Sequence, residues 1–402
     1  MEKKHLGILQ VKKIAIILDD ITGFGGTERA VCNLANLLSE SRKYLVSIIS
    51  MSSISGGPVY DINNDVRIYH FGLSRPPRET GLSKCKTVLK NLACFAIGYM
   101  VSLLGDMKHA PYRGYSCLRE GYIKLLLRHI MEFVQENNVH IVLGTHIGIN
   151  VWLFFLRKGV KTVACEHTAY MGAPFTSRVR RKITYPFLDS VVVLTLSHAK
   201  HYSFHKNIKV IPNSLSFQPC GQSKLLGKQI LAVGWLIEIK GFDLLVDAIS
   251  HIKSECKGWQ VKIVGSGEEE DKLNKQIESL GLRNYIKIFP QTKKIIQEYL
   301  DASILVMSSR KEGLPMVLIE AQSCGLPIVS FDCPEGPSEI VHHNVDGLLV
   351  ENGNSKKLSE ALLELMQNPE KRKQFGTNAL QSINRYKPES VFVLWDDLLD
   401  AL

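Results

Sequence analysis

Short, unbroken apolar runs alternate along this chain with segments whose apolar residues recur at helical spacing. KKIAIILDD, residues 12–20, is a run of the kind that a strand buried on both faces requires. A loop carrying Gly23, Gly25 and Gly26 follows, and residues 27–39 then set Val31, Leu34, Leu37 and Leu38 on one helical face. Further runs predict strands at 46–51, 66–71, 140–145, 161–165, 190–195 and 208–211. Strands separated by helices on this rhythm predict a parallel sheet covered on both faces.

The rhythm restarts at residue 229. ILAVGWL reads as a strand, 241–251 as a helix, and QVKIVGSG as a strand that ends in glycines. A helix at 268–280, strands at 285–289 and 304–308, a helix at 315–324 and the strand PIVSFDC follow. Two more helices are predicted within 356–367 and 369–386. The join near 214–227 is polar and rich in turn formers, as linkers are. The chain has 402 residues, more than one ordinary α/β core holds. Two doubly wound, Rossmann-like domains are therefore expected, at 1–220 and 221–385. A last helix at 386–402 is expected to pack back toward the first domain.

LACFAIGYMVSLL, residues 92–104, interrupts the pattern. Spanning a bilayer takes about 20 apolar residues, so this run is too short to cross one. Residues 115–135 then mix helical-period apolar positions with Arg119, Lys124 and Arg128. Such a helix can lie on a membrane surface or pack on its own sheet with a solvated basic side.

Charge sharpens this picture. The formal net charge is +10, and residues 1–220 carry 28 Lys and Arg against 14 Asp and Glu. The remainder carries 21 against 25, so the basic excess belongs to the first half, which points that half toward an anionic partner. The nine cysteines include no C-x-x-C pair and read as reduced core thiols. The first twenty residues show no signal-peptide core, and no secretion is expected.

The densest chemistry lies in SSRKEGLPMVLIEAQSCGLPIVSFDCPEGPSEIV, residues 308–341. Pro315 suits the first turn of a helix, where its missing N–H is not needed. The free amides of that turn, around Leu314, Met316 and Val317, form an anion site suited to a diphosphate. Glu312 precedes the helix and Glu320 lies about one and a half turns inside it. Two carboxylates beside a phosphate site suit a hydroxyl-rich neighbour better than phosphate alone. His198, His201 and His205 have the spacing of one helical face, but no acidic base completes a zinc motif. VGSGEEE matches neither a dinucleotide fingerprint nor a Walker A loop, which argues against NAD and ATP.

Glu312 and Glu320 form E-x7-E, and the chain here resembles the retaining glycosyltransferases of the GT-B fold, family 4 in particular. GGTERAVCNLANLL (25–38), CEHTAY (165–170), VIPNS (210–214) and VGWLIEIKGFDLLVDAI (233–249) resemble that family's segments in the same order. The resemblance implies two Rossmann-like domains facing each other across a cleft, with the acceptor on the first and a nucleotide sugar on the second. It implies that Gly25 and Gly26 approach the donor diphosphate and that Lys240 neutralises it. Glu312 would hold the donor sugar, Glu320 the ribose, and Gly313, Leu314, Pro315, Met316 and Val317 the phosphates. His167 would lie near the reacting sugar, while a role for Glu166 is more open. The family usually has arginine where this chain has Trp235, which leaves Arg310, Lys311 or the indole to rebuild that contact.

The resemblance also implies a same-face displacement without cofactor or metal, since Lys240 and helix amides carry the charge. A UDP-sugar is the first choice of donor and GDP-mannose the second. With the basic first half, it favours a lipid-linked saccharide acceptor in bacterial O-antigen, capsule or exopolysaccharide assembly. The protein would then be cytoplasmic and peripheral at an anionic membrane surface, without nucleic acid as partner. A nucleotide-sugar epimerase and a non-catalytic sugar-nucleotide-binding subunit are the rival readings.

Overall fold

In the computed structural model, the described strands fall into two parallel sheets, and in each the chain runs outward from the middle to one edge and then from the middle to the other. The structure describes residues 11–23, 25–51, 56–72, 122–156, 159–168, 170, 173–217, 219 and 221–402. The apolar run at 92–104 and most of the basic stretch at 84–128 lie outside these residues.

The first sheet holds β1 (Lys12–Leu18), β2 (Tyr44–Ser50), β3 (Arg67–His70), β4 (Ile141–Gly144), β5 (Lys161–Glu166), β6 (Ser190–Val193) and β7 (Ile208–Val210). Its order is β3-β2-β1-β4-β5-β6-β7, with Ile16 level with Ile48 and Leu143. The second holds β8 (Gln229–Val233), β9 (Gln260–Val264), β10 (Ile286–Phe289), β11 (Ile304–Met307), β12 (Ile328–Asp332) and β13 (Gly347–Glu351), in the order β10-β9-β8-β11-β12-β13. Each central strand is buried on both faces, as its unbroken apolar run requires. This is the expected pair of Rossmann-like domains.

In an open sheet of this kind, ligands gather outside the carboxyl ends of the strands where the order reverses. Those points are the β1/β4 and β8/β11 gaps. The helix Gly26–Glu40 follows β1 and the helix Met316–Ser323 follows β11. The helix Pro388–Ala401 places Val391, Trp395, Leu398 and Leu399 in the same core as Ile14, Ile16 and Leu38. Lys43 and Tyr44 bind Asp396 beside it, at 2.5 and 2.7 Å. Cys32, Cys165, Cys256, Cys324 and Cys333 are buried and form no disulfide.

Candidate functional site

The second domain's part of the site begins where β8 runs out. Trp235 stands 39% exposed after it, and a short 3-10 turn, Glu238–Lys240, carries the chain back over β11. Gly241 closes that turn at φ +63, and a Cβ there would fall 2.1 Å from the Ser308 carbonyl oxygen. Only glycine allows so close an approach in that conformation. The turn is also pinned from the side, because Arg310 grips Asp243 with both nitrogens at 2.8 and 2.6 Å and donates to the Glu238 carbonyl. Burial lifts the Asp243 carboxyl, and Arg310 more than reverses this, leaving it below the usual range. Arg310 is thus engaged within its own domain in this structure, while Lys311 is exposed.

The pinned turn brings Lys240 to Glu312, with Nζ 2.7 Å from Oε1. The Ser309 hydroxyl donates to the same oxygen at 2.6 Å. Two residues expected to serve different parts of a donor therefore hold one another in this structure.

Pro315 takes the N-cap position of the helix Met316–Ser323, in extended conformation, one residue earlier than its expected place in the first turn. Its carbonyl accepts from the Leu318 amide at 3.0 Å, and the Met316 and Val317 amides precede that bond in the unpaired first turn. The Leu314 side chain is buried in the core beneath and anchors the loop. Gly336 presses on this loop, since a Cβ there would lie 2.5 Å from the Gly313 oxygen.

Glu320, expected to hold the ribose, is buried in this structure, with its side chain only 1% exposed. Tyr299 donates its hydroxyl to Oε2 at 2.7 Å, and Arg29 of the first domain reaches Oε1 at 2.6 Å. Burial raises the Glu320 carboxyl above its ordinary range, with Arg29 and Tyr299 pulling the other way. Arg29 and Tyr299 were not singled out from sequence. The signal for Arg29 was its place one turn past Gly25 and Gly26; nothing local marks Tyr299.

From the first domain, the helix Gly26–Glu40 opens at Gly25, its N-cap, which is in an extended conformation any residue adopts. A Cβ on Gly26 would meet nothing within 4 Å, whereas one on Gly25 would fall 2.0 Å from a carboxylate oxygen of Glu28. Gly26 thus faces open space, while the Glu28 side chain packs over Gly25.

His167 follows β5, and its Nδ1 is buried without a hydrogen-bond partner. Burial pulls the ring down to about 4, Glu166 opposing and His198 adding to the shift, so the imidazole is neutral near pH 7. Glu166 points elsewhere, into a buried cluster where Arg181 donates at 3.1 and 2.7 Å and the Tyr185 hydroxyl also donates. It anchors the strand end that carries His167.

Next to His167 the domains are fastened by two further glutamates that sequence reasoning passed over. Glu335, at φ +65, accepts from the Tyr170 amide at 3.0 Å and faces the His201 ring at 3.1 Å. Glu339 accepts from the Leu196 and Ser197 amides at 2.8 and 2.6 Å. The histidine triplet does not share one helical face: the helix is only Leu196–Ala199, and His205 lies beyond it with Nε2 3.1 Å from the Leu188 carbonyl oxygen.

Residues 222–382 match the family described as glycosyl transferases group 1. The amylovoran biosynthesis glycosyltransferase AmsD of Erwinia amylovora is 28% identical, over 96% of this chain and 99% of its own. A Campylobacter jejuni protein named GalNAc-alpha-(1->4)-GalNAc-alpha-(1->3)-diNAcBac-PP-undecaprenol alpha-1,4-N-acetyl-D-galactosaminyltransferase is 25% identical, over 96% and 98%. A solved structure of a Staphylococcus aureus TarM variant, in complex with fondaparinux, alpha-GlcNAc-glycerol and UDP, shares the fold at a TM-score of 0.73 and 16% identity. That comparison covers 97% of this chain and 100% of that one, and the fold in common is GT-B. Together these likenesses support a GT-B glycosyltransferase.

Proposed function

We propose that this chain is a retaining hexosyltransferase of the family 4 type, acting on a lipid-linked saccharide in bacterial surface-polysaccharide assembly. A UDP-sugar is the favoured donor, with GDP-mannose second. One observation carries the reading: Lys240 and Glu312, paired at 2.7 Å, stand before an unpaired helix N-terminus. A lysine, a first-turn amide row and a carboxylate together fit a diphosphate that carries a sugar.

In this reading Lys240 turns to the diphosphate, and Glu312 is released to accept bonds from the sugar hydroxyls. The bond from the acceptor oxygen to the anomeric carbon forms on the face from which the diphosphate leaves. The acceptor's proton passes to the departing phosphate oxygen. Lys240 and the Met316 and Val317 amides stabilise the charge that develops there. His167, neutral, has a buried ring nitrogen free to bond a sugar hydroxyl. Gly26, where a Cβ would meet nothing within 4 Å, leaves room for the diphosphate, and the Glu28 carboxylate over Gly25 turns aside to admit it.

The acceptor follows from the basic first half and from the Campylobacter relative, whose name specifies an undecaprenol-linked substrate. No helix among the described residues is long and apolar enough to cross a membrane, and attachment is proposed to be peripheral. Half-exposed Trp235 favours one rival, a subunit that binds a sugar nucleotide without turning it over. Donor turnover with a panel of UDP- and GDP-sugars, with and without membrane lipid extract, separates the readings. Turnover that needs the extract supports transfer; turnover without it indicates an epimerase or hydrolase; binding without turnover indicates the subunit.

A further inference from the structure

Arg29 is the fourth residue of the helix Gly26–Glu40, one turn beyond the two glycines, and its guanidinium leaves its own domain. Nη2 lies 2.6 Å from Glu320 Oε1, with the arginine side chain 22% exposed and the glutamate 1%. The other oxygen of Glu320 is held by Tyr299. Around the strand ends of the second domain, the charges described above are engaged locally: Arg310 with Asp243, and Lys240 with Glu312. Position 235, beside Lys240, is an indole.

We propose that Arg29 is a donor-binding residue, which passes from Glu320 to the diphosphate when the ribose hydroxyls take Glu320 Oε1. This rests on the donor-site reading above. A carboxylate has about four lone-pair positions, so Tyr299 can keep Oε2 while Oε1 changes partner. A guanidinium so far from solvent needs an anion, because a buried charge stripped of its partner is strongly unfavourable. The diphosphate is the nearest anion in that reading. Glu320 is four residues inside its helix, about 6 Å from Met316 at 1.5 Å per residue, and its side chain leans toward that N-terminus. The planar fork of arginine matches two phosphate oxygens at once.

The exchange mirrors the one at Lys240. In the structure each cation holds a carboxylate; with donor, both cations move to the diphosphate and both carboxylates to hydroxyls, so no buried charge is left alone. Because Arg29 belongs to the first domain, the phosphate would then be held from both sides of the cleft.

The test is calorimetric titration of the full chain with uridine and with UDP, and with guanosine and GDP, for wild type, Arg29→Met and Arg29→Lys. The wild type should prefer the diphosphate to its nucleoside. Arg29→Met should lose roughly tenfold to a hundredfold of that preference, while nucleoside binding stays level or tightens because Glu320 is freed. Arg29→Lys, which keeps the charge and loses the fork, should lie between, and it serves alone if Arg29→Met does not fold. An unchanged preference in a folded variant overturns the role of Arg29 and leaves the donor site standing. A wild type that binds neither UDP nor GDP overturns the donor-site reading, and this inference with it.

Discussion

Removing the carboxylate of Glu320 should destabilise the protein, and the arrangement around it says by how much. Glu320→Ala leaves the Arg29 guanidinium without its anion and the Tyr299 hydroxyl without its acceptor, both in a region the solvent barely reaches. Breaking a buried ion pair by deleting one partner costs about 3–5 kcal/mol. Arg29 retains 22% exposure, so water relieves part of the penalty and the lower end, about 3 kcal/mol, is expected. Replacing both partners by apolar groups, as in Arg29→Met with Glu320→Leu, should leave mainly the unpaired Tyr299 hydroxyl, about 1–3 kcal/mol. Urea unfolding followed by tryptophan fluorescence gives the four corners of the cycle formed by wild type, Arg29→Met, Glu320→Leu and the double variant, and hydrogen exchange in the helix Met316–Ser323 localises the effect. Single variants that each cost less than about 1 kcal/mol would refute the reasoning. So would a double variant whose cost equals the sum of the singles, since that leaves no coupling across the cleft.

Lys240→Met should behave differently, because its partner Glu312 keeps the Ser309 hydroxyl. Transfer should fall by roughly a hundredfold to a thousandfold while the urea midpoint hardly moves; near wild-type turnover would remove Lys240 from the site. His167 should contribute no limb to the pH profile of kcat/KM between pH 5 and 8. Its ring is held at about 4, so it stays neutral until pH falls toward that value. A limb near pH 6.5 that disappears in His167→Gln would contradict this assignment. The +14 excess of residues 1–220 should bind the protein to liposomes containing anionic lipid at low salt and release it at high salt. Equal binding to neutral liposomes would remove the electrostatic part.

What could be read from the chain beforehand follows from how local each signal is. The central strands were legible because burial on both faces forces an unbroken apolar run, as in Ile14–Leu18 and Ile304–Met307. The edge strand β13 was not, because Gly347–Glu351 is only partly buried and flanked by turn residues such as Asn344 at φ +62. The glycines of VGSGEEE had been set aside as a phosphate loop, and the structure gives their reason. A Cβ on Gly265 would sit 1.9 Å from the Gly234 oxygen, and one on Gly267 would sit 2.4 Å from the Leu236 oxygen. They let the segments that follow β8 and β9 approach closely. Lys240 and Glu312 were found as separate motifs, but their contact was invisible, since it depends on Gly241 and on Arg310 clamping Asp243. Arg29 with Glu320, and Tyr170 with Glu335, join different domains, and no pattern within either segment records the other.

The central claim is transfer of a sugar from a nucleotide diphosphate with its anomeric configuration kept. Proton NMR of the first product, formed from an α-linked donor identified in the panel and the lipid-linked acceptor fraction, tests this most directly. Retention gives an α-linked product that appears as the nucleoside diphosphate is released, and that is absent with Lys240→Met. A β-linked product would contradict the same-face displacement, and release of free sugar with no new linkage would contradict transfer itself.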